Sequence, residues 1–223
     1  LFPMALDRPL RYGMVGGGPG AFIGAVHRSA AALDGDLDLV AGAFSSDPET
    51  SHRQGAALHL APERVYDTYA QMAAAEAERP DGIDVVSIVT PNHLHYDVAC
   101  AFIDRGIHVI CDKPMTTTLD DAEALCRRVE AQDVVFCLTH TYAGYPLVKQ
   151  ARALVQQGRL GELRKVVVAY PQGWLNRRLE AGDHKQASWR TDPAMAGAGA
   201  LGDIGTHAET LARDLTGRAL ERL

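Results

Sequence analysis

The chain has 223 residues, with 22 Lys+Arg against 28 Asp+Glu and a formal net charge of −6. Apolar residues make up 47% and charged residues 22%, which is typical of globular domains and excludes intrinsic disorder, coiled coil and collagen. The acidic total argues against nucleic-acid binding, and no stretch approaches the roughly 20 apolar residues that cross a bilayer. We therefore expect a globular protein of one or two domains that binds neither nucleic acid nor membrane.

The cysteines and the first residues indicate the compartment. Residues 1–11 lack the basic and apolar pattern of a signal peptide. The cysteines form no Cys-x-x-Cys pair, and His93 and His95 stand two apart without further ligands, so no metal site is expected. We predict buried free thiols and a cytoplasmic protein. The four cysteines are Cys100, Cys111, Cys126 and Cys137.

Strand and helix patterns alternate over the first two-thirds of the chain. The strands are continuous apolar runs, which are typical of a parallel sheet covered by helices on both faces. We predict strands at 10–16, 38–44, 65–66, 84–89, 107–111 and 134–138. We predict helices at 22–33, 47–60, 68–79, 95–105 and 119–132. The pattern predicts an α/β fold with a doubly wound parallel sheet.

The pattern changes after residue 139. We predict a helix at 145–158, a strand at 163–170 and a last helix at 204–216, separated by a loop-rich segment. The predicted domains are a dinucleotide-binding Rossmann domain over 1–140 and the beginning of an incomplete α+β domain over 141–223.

A glycine-rich loop follows the first strand and opens the first helix. Glycines at this position let the backbone approach a pyrophosphate, and the helix N-terminus supplies free N–H groups. The third position of the usual spacing is Ala21, so Gly24 is the alternative for the glycine that packs the helix. The cofactor contacts predicted in this loop are Gly16, Gly18, Phe22 and Ile23.

The end of the second strand bears on the choice between NAD and NADP. An NAD site usually has an acidic residue here for the ribose, but the chain has Ser45 and Ser46 and no acidic residue before Asp47. Small hydroxyl side chains tolerate a 2′-phosphate, and Arg53 is a candidate partner for one. We therefore expect NAD or NADP, with the choice open.

Polar motifs follow two later strands and precede the last helix. In an open α/β sheet, ligands bind beyond the carboxyl ends of the strands, which is where these motifs fall. Asp203 and His207 are four residues apart and would share one face of a helix. The motifs are Thr90-Pro91-Asn92 with His95, Asp112-Lys113-Pro114, and Gly202-Asp203 with Gly205 and His207.

With the glycine loop, these motifs resemble the glucose–fructose oxidoreductase / inositol dehydrogenase (Gfo/Idh/MocA) family. Asp112-Lys113-Pro114 is similar to the family's Glu-Lys-Pro signature, with Asp in place of Glu. The resemblance implies an NAD(P)-dependent oxidoreductase whose catalytic residues are Lys113, Asp203 and His207. A histidine is a natural base for the hydroxyl proton, and the lysine would polarise the oxygen; which of the two takes the proton stays open. The further implied cofactor contacts are Ser45, Ser46, Thr90, Pro91, Asn92, Asp112, Lys113, Trp189, Arg190 and His95, the last near the nicotinamide ribose.

The resemblance implies a small-molecule substrate, a sugar, inositol or related polyol. Family members often carry an arginine after the sixth strand, and 141–145 has none, which favours a neutral substrate. The alternatives are a non-catalytic dinucleotide-binding sensor and an NAD-dependent glycoside hydrolase of the same family. Family chains usually extend further, so we expect a truncated second domain, dinucleotide binding in preference to turnover, and a dimer or tetramer for the full-length form.

Overall fold

The computed structural model describes residues 7–174, 176–179, 182 and 185–222. The chain divides after Leu138 into two compact units, called here the first and the second unit. The first unit contains the sheet, and the second is built from helices and irregular segments over its described residues.

A five-stranded sheet organises the first unit, with the order β2-β1-β3-β4-β5. The strand β1 pairs in parallel with β2 and β3, and β3 pairs in parallel with β4. This order, with the chain crossing from one side of β1 to the other, is that of a Rossmann fold and confirms the predicted class. The strands are β1 (Leu10–Gly16), β2 (Leu37–Ala43), β3 (Val85–Val89), β4 (His108–Asp112) and β5 (Phe136–Thr139).

Helices connect these strands, and their starts follow from the local sequence. Asp47 caps the second helix by accepting a 2.9 Å hydrogen bond from the Thr50 backbone, and Pro48 occupies the first turn. Thr68 and Thr118 cap the third and fifth helices in the same way. The helices are α1 (Phe22–Ala31), α2 (Pro48–Ala57), α3 (Tyr69–Glu78), α4 (His95–Ile103) and α5 (Leu119–Gln132).

The core lies against both faces of the sheet. Met14, Val86 and Ile88 of the strands are fully buried, as is Phe102 of α4. Each large apolar side chain buried in this way contributes about 1.5–3 kcal/mol to folding. This burial holds the carboxyl ends of the strands, where the predicted motifs lie.

One predicted strand of the first unit is wrong. At 65–66 the chain forms only an isolated bridge between Val65 and Gly42. The Tyr66 backbone donates to the Gly42 carbonyl at 2.8 Å, but its own carbonyl accepts from the Ser51 hydroxyl at 3.0 Å. A side chain therefore takes the place of the next ladder bond, and no strand extends.

The second unit departs further from the prediction. The segment 163–170, predicted as a strand, is irregular, and Val167 is 74% exposed. A β-rich segment becomes a strand only when another strand pairs with it, and no described residue of this unit does so. The helices are α6 (Pro146–Gln156), α7 (Lys185–Arg190), α8 (Pro193–Ala196) and α9 (Thr206–Thr216), and a π-helical turn spans Leu201–Gly205.

Two other expectations concern residue environments. The four cysteines, all described, are free thiols, but the expected burial is wrong for Cys126 and Cys137, which are exposed. Across the described part of the chain, no helix has both the length and the apolar character needed to span a bilayer.

Candidate functional site

The glycine loop leaves β1 in a conformation that only glycine adopts easily. Gly16 has φ +85°, and a Cβ there would lie 2.8 Å from the Val89 carbonyl oxygen. A Cβ on Gly18 would lie 2.7 Å from the Phe44 carbonyl oxygen. The loop therefore runs directly against the ends of β2 and β3, and the exposed Phe22 and half-buried Ile23 begin α1 beside it.

Gly24 is the glycine that packs α1 against this loop. It is buried, and a Cβ there would lie 2.5 Å from the Gly17 Cα. Ala21 occupies the usual third position, and the longer spacing considered for the sequence places Gly24 at this contact. One turn later, Arg28 reaches back and donates a 3.2 Å hydrogen bond to the Gly17 carbonyl. No sequence motif pointed to Arg28, although its spacing of four from Gly24 places both on one helix face.

The end of β2 places two hydroxyls beside the loop. Ser45 is half-buried and Ser46 exposed, and the Ser45 hydroxyl accepts a 3.1 Å hydrogen bond from the Asp47 backbone. Arg53, the candidate partner for a 2′-phosphate, lies in α2, where it donates to the Thr50 hydroxyl at 3.1 Å and stands 3.9 Å from Glu49.

The Thr90 motif at the end of β3 combines burial with an unused polar atom. Asn92 is buried and Pro91 half-buried. The Thr90 Oγ1 is buried and has no hydrogen-bond partner among the described residues. A buried hydroxyl without a partner is costly, so it marks a place where a bound polar group would be stabilised.

His95 lies deeper than the sequence suggested. Its side chain is buried, with Nδ1 2.7 Å from the Pro114 carbonyl oxygen and Nε2 3.0 Å from the Thr90 carbonyl oxygen. Both ring nitrogens therefore face main chain of this unit. This arrangement offers no polar ring atom to the nicotinamide ribose, the contact that the resemblance implied.

Asp112 and Lys113 end β4 next to the Thr90 motif, because β3 and β4 are neighbours in the sheet. Both side chains are half-buried. Cys111, just before them, points into the core, where burial raises the pKa of its thiol well above its usual range. The glycine loop, Ser45, Ser46 and the Thr90 and Lys113 motifs therefore all lie at one edge of the sheet of the first unit.

Asp203 and His207 lie at the junction of the π-helical turn and α9 in the second unit. Asp203 is the third residue of the turn, and His207 is the second residue of α9. Single turns of π-helix inside α-helices are frequent at functional sites. The Asp203 carboxylate stands 3.7 Å from the Arg190 Nε, an ion pair about three-quarters shielded from solvent.

Aromatic rings surround His207. The Tyr142 ring meets it edge-on, with ring centroids 4.8 Å apart, and His140 lies at 6.0 Å. The Tyr142 hydroxyl is hydrogen-bonded to the Tyr170 hydroxyl. This bond, with burial and the neighbouring Asp203 charge, raises the pKa of Tyr142 to about 12.

Trp189 and Arg190 end α7 in the same unit. The Arg190 guanidinium lies 4.2 Å from the Trp189 ring centroid and 5.8 Å from that of Trp174. Stacking on the rings and pairing with Asp203 together fix the orientation of this guanidinium. The structure therefore brings Asp203 together with Arg190, and His207 with Tyr142, while Lys113 belongs to the first unit.

Known proteins match both parts of the chain. The family described as "Oxidoreductase family, NAD-binding Rossmann fold" matches residues 10–140. The family described as "GFO/IDH/MocA C-terminal domain" matches residues 148–223. An uncharacterized oxidoreductase of Bacillus subtilis, YfiI, is 38% identical over 206 residues, which is 91% of this chain and 52% of that protein.

Relatives of known activity and solved structures agree with these matches. A levoglucosan dehydrogenase of Pseudarthrobacter phenanthrenivorans is 37% identical over 138 residues, covering 62% of this chain and 34% of that protein. An inositol dehydrogenase homolog from Azotobacter vinelandii, solved with NAD⁺, is 40% identical with a TM-score of 0.92, covering 95% of this chain and 54% of that one. The matches to YfiI and to the Azotobacter homolog cover almost all of this chain but only about half the length of each relative.

Proposed function

Because the chain belongs to the Gfo/Idh/MocA oxidoreductase family, we propose that it acts as an NAD(P)-dependent dehydrogenase on a carbinol of a sugar, inositol or similar polyol. The observation that carries this proposal is the continuous edge of the first unit. There the glycine loop lies against the Val89 carbonyl, immediately before the Thr90 motif, and the Lys113 motif ends the adjacent strand.

The residues of this edge fit a nicotinamide dinucleotide. Gly16 and Gly18 let the loop turn tightly against the ends of β3 and β2, as a loop that presents its backbone to a pyrophosphate must, and the α1 N-terminus favours an anion. The Thr90 hydroxyl supplies a buried polar atom that is still unpaired in the described residues. When bound, the nicotinamide accepts or supplies the hydride.

Three side chains would act on the substrate. Lys113 would donate a hydrogen bond to the reacting oxygen and stabilise the alkoxide as the hydroxyl proton leaves. His207 or Lys113 would take that proton, and Asp203 would orient the base. The other proposed cofactor contacts are Gly16, Gly18, Phe22, Ile23, Ser45, Ser46, Thr90, Pro91, Asn92, Asp112, Trp189 and Arg190.

The choice of a neutral substrate rests on the second unit. The segment 141–145 carries no arginine, and the Arg190 charge is paired with Asp203. The Azotobacter homolog was also solved with NADH and myo-inositol, and the other relative oxidises levoglucosan by its name, both uncharged polyols. We therefore propose an uncharged substrate in preference to an anionic one.

The test measures dinucleotide binding and turnover separately. NADH and NADPH are titrated by fluorescence, and a panel of myo-inositol, levoglucosan and D-xylose is then offered with NAD and with NADP. We expect binding of one dinucleotide, and turnover that falls at least about 100-fold in Lys113→Met and His207→Asn. The pH dependence of turnover in the two variants would then identify which of Lys113 and His207 is the base.

The exposed Lys149 of α6 provides the matched control, since Lys149→Met also removes an ammonium group. This variant should bind and turn over like the parent chain. Absence of binding to both dinucleotides would contradict the proposed function, and near-normal turnover in both site variants would contradict the proposed catalytic residues.

A further inference from the structure

His95 joins the two strand-end motifs of the first unit through its ring. It is the first residue of α4, directly after the Thr90 motif, and its side chain is almost completely buried, with the residue 1% exposed. Its Nδ1 lies 2.7 Å from the carbonyl oxygen of Pro114, the residue after Lys113. Its Nε2 lies 3.0 Å from the carbonyl oxygen of Thr90.

The protonation state decides how the ring holds these carbonyl groups. Burial lowers the pKa of His95, and the nearby His93 acts in the same direction, against the two carbonyl groups and Asp112. The ring is therefore neutral near pH 7 and has a single N–H to donate. The shorter contact favours the proton on Nδ1, which then donates to the Pro114 carbonyl, so the ring ties Pro114 to the start of α4, directly after the Thr90 motif.

We propose that His95 is a positioning residue that holds the Thr90 and Lys113 motifs in register for the nicotinamide half of the cofactor, without touching the cofactor itself. The inference rests on the proposed function, because the two motifs matter in this way only if a dinucleotide binds. It assigns His95 a different role from the ribose contact that the sequence suggested.

Two ligands separate positioning from general damage to the fold. NADH spans the whole edge of the sheet, whereas ADP-ribose has the adenosine and pyrophosphate but no nicotinamide ring. A loss of positioning at the Thr90 and Lys113 motifs should lower the affinity for NADH. The affinity for ADP-ribose, which binds at the glycine loop, should stay unchanged. A damaged fold should weaken both ligands together.

The variants separate ring volume from hydrogen bonding. His95→Phe keeps a ring but has no donor, and we expect NADH affinity to fall about tenfold while ADP-ribose stays within about twofold. His95→Asn keeps an N–H close to the position of Nδ1, and we expect part of the NADH affinity to return. Phe102→Leu, in the buried end of α4, is the control for stability and should leave the ratio of the two affinities unchanged.

Each outcome has a distinct meaning. Parent chain that binds neither ligand contradicts the proposed function. If the parent chain binds NADH and ADP-ribose, and His95→Phe loses affinity for the two ligands equally, the positioning role is contradicted. If His95→Asn loses as much NADH affinity as His95→Phe, hydrogen bonding to Pro114 is not what holds the motifs, and the proposal is wrong. If the Phe variant does not fold, the Asn variant alone still makes the comparison of the two ligands.

Discussion

The two units hold their proposed site residues by different means. In the first unit, Gly16 and Lys113 continue strands of a sheet whose core is fully buried, and the buried His95 ring lies between two main-chain carbonyl groups. In the described part of the second unit, α6 and α9 bury no residue, and the buried apolar residues are Ala187 and Ala196. Asp203 and His207 therefore lie on a much smaller buried base, beside the Arg190 guanidinium and the Tyr142 ring.

This difference indicates where substitutions act most strongly. Contacts through a sheet and a core are cooperative, so removing a buried partner in the first unit should cost more stability than removing a contact in the second. Contacts through rings and ion pairs near solvent are individually weak. Both tryptophans, Trp174 and Trp189, lie in the second unit, so their fluorescence follows that unit while far-ultraviolet circular dichroism follows both.

The largest effect should come from the buried carboxylate of Glu76 in α3. It is completely buried, and it accepts hydrogen bonds from Arg64, from the Tyr66 hydroxyl at 2.8 Å and from the Ile83 backbone at 3.1 Å. Glu76→Ala leaves the Arg64 charge buried without this partner. We expect the free energy of unfolding of the first unit to fall by about 3–5 kcal/mol, measured in urea by circular dichroism.

The control for this variant is Glu78→Ala, an exposed carboxylate of the same helix, which should change stability by less than about 0.5 kcal/mol. The tryptophan signal then tests the comparison. If the fluorescence transition moves as far as the circular dichroism transition in Glu76→Ala, the two units do not differ in the way described above.

The sequence was most informative where partners are local. The strands β1, β3 and β4 are buried apolar runs with glycine or polar ends, so type and order could be predicted from the pattern alone. The strand at 163–170 failed because pairing depends on another segment. His95 could be selected as a site residue, but its two carbonyl partners could not, because they come together only through the neighbouring positions of β3 and β4.

An intermediate effect is expected from Gly24→Ala in α1. The added methyl group would stand 2.5 Å from the Gly17 Cα, so either the helix or the loop must shift. We expect NADH affinity to fall at least about tenfold, since loop geometry sets the positions of the N–H groups that receive the pyrophosphate. Fluorescence titration measures this loss, and the tryptophan unfolding transition should stay in place.

Gly144→Ala is the matched control from the second unit. A Cβ at Gly144 meets nothing within 4 Å, and its φ is not in the left-handed region. Its NADH affinity should equal that of the parent chain. Equal affinity in Gly24→Ala would mean that the close approach of α1 to the loop does not shape the dinucleotide site.

The smallest effect is expected from Tyr142→Phe in the second unit. The hydrogen bond to Tyr170 and the neighbouring charge raise the pKa of Tyr142 from 10.0 to about 12. A folded-state pKa above the unfolded value stabilises the fold fully below pH 10, and this contribution is lost as the pH rises toward about 12. We expect the variant to be less stable by about 1 kcal/mol or less at neutral pH, the value of a single hydrogen bond.

The pH dependence distinguishes this bond from ring packing. Unfolding followed by tryptophan fluorescence should show the parent chain losing its advantage over Tyr142→Phe between pH 10 and about 12. A constant difference across this range would assign the effect to the edge-on contact with His207 and not to the hydroxyl. Such a result would leave His207 held by ring contacts only, and would widen the difference between the two units.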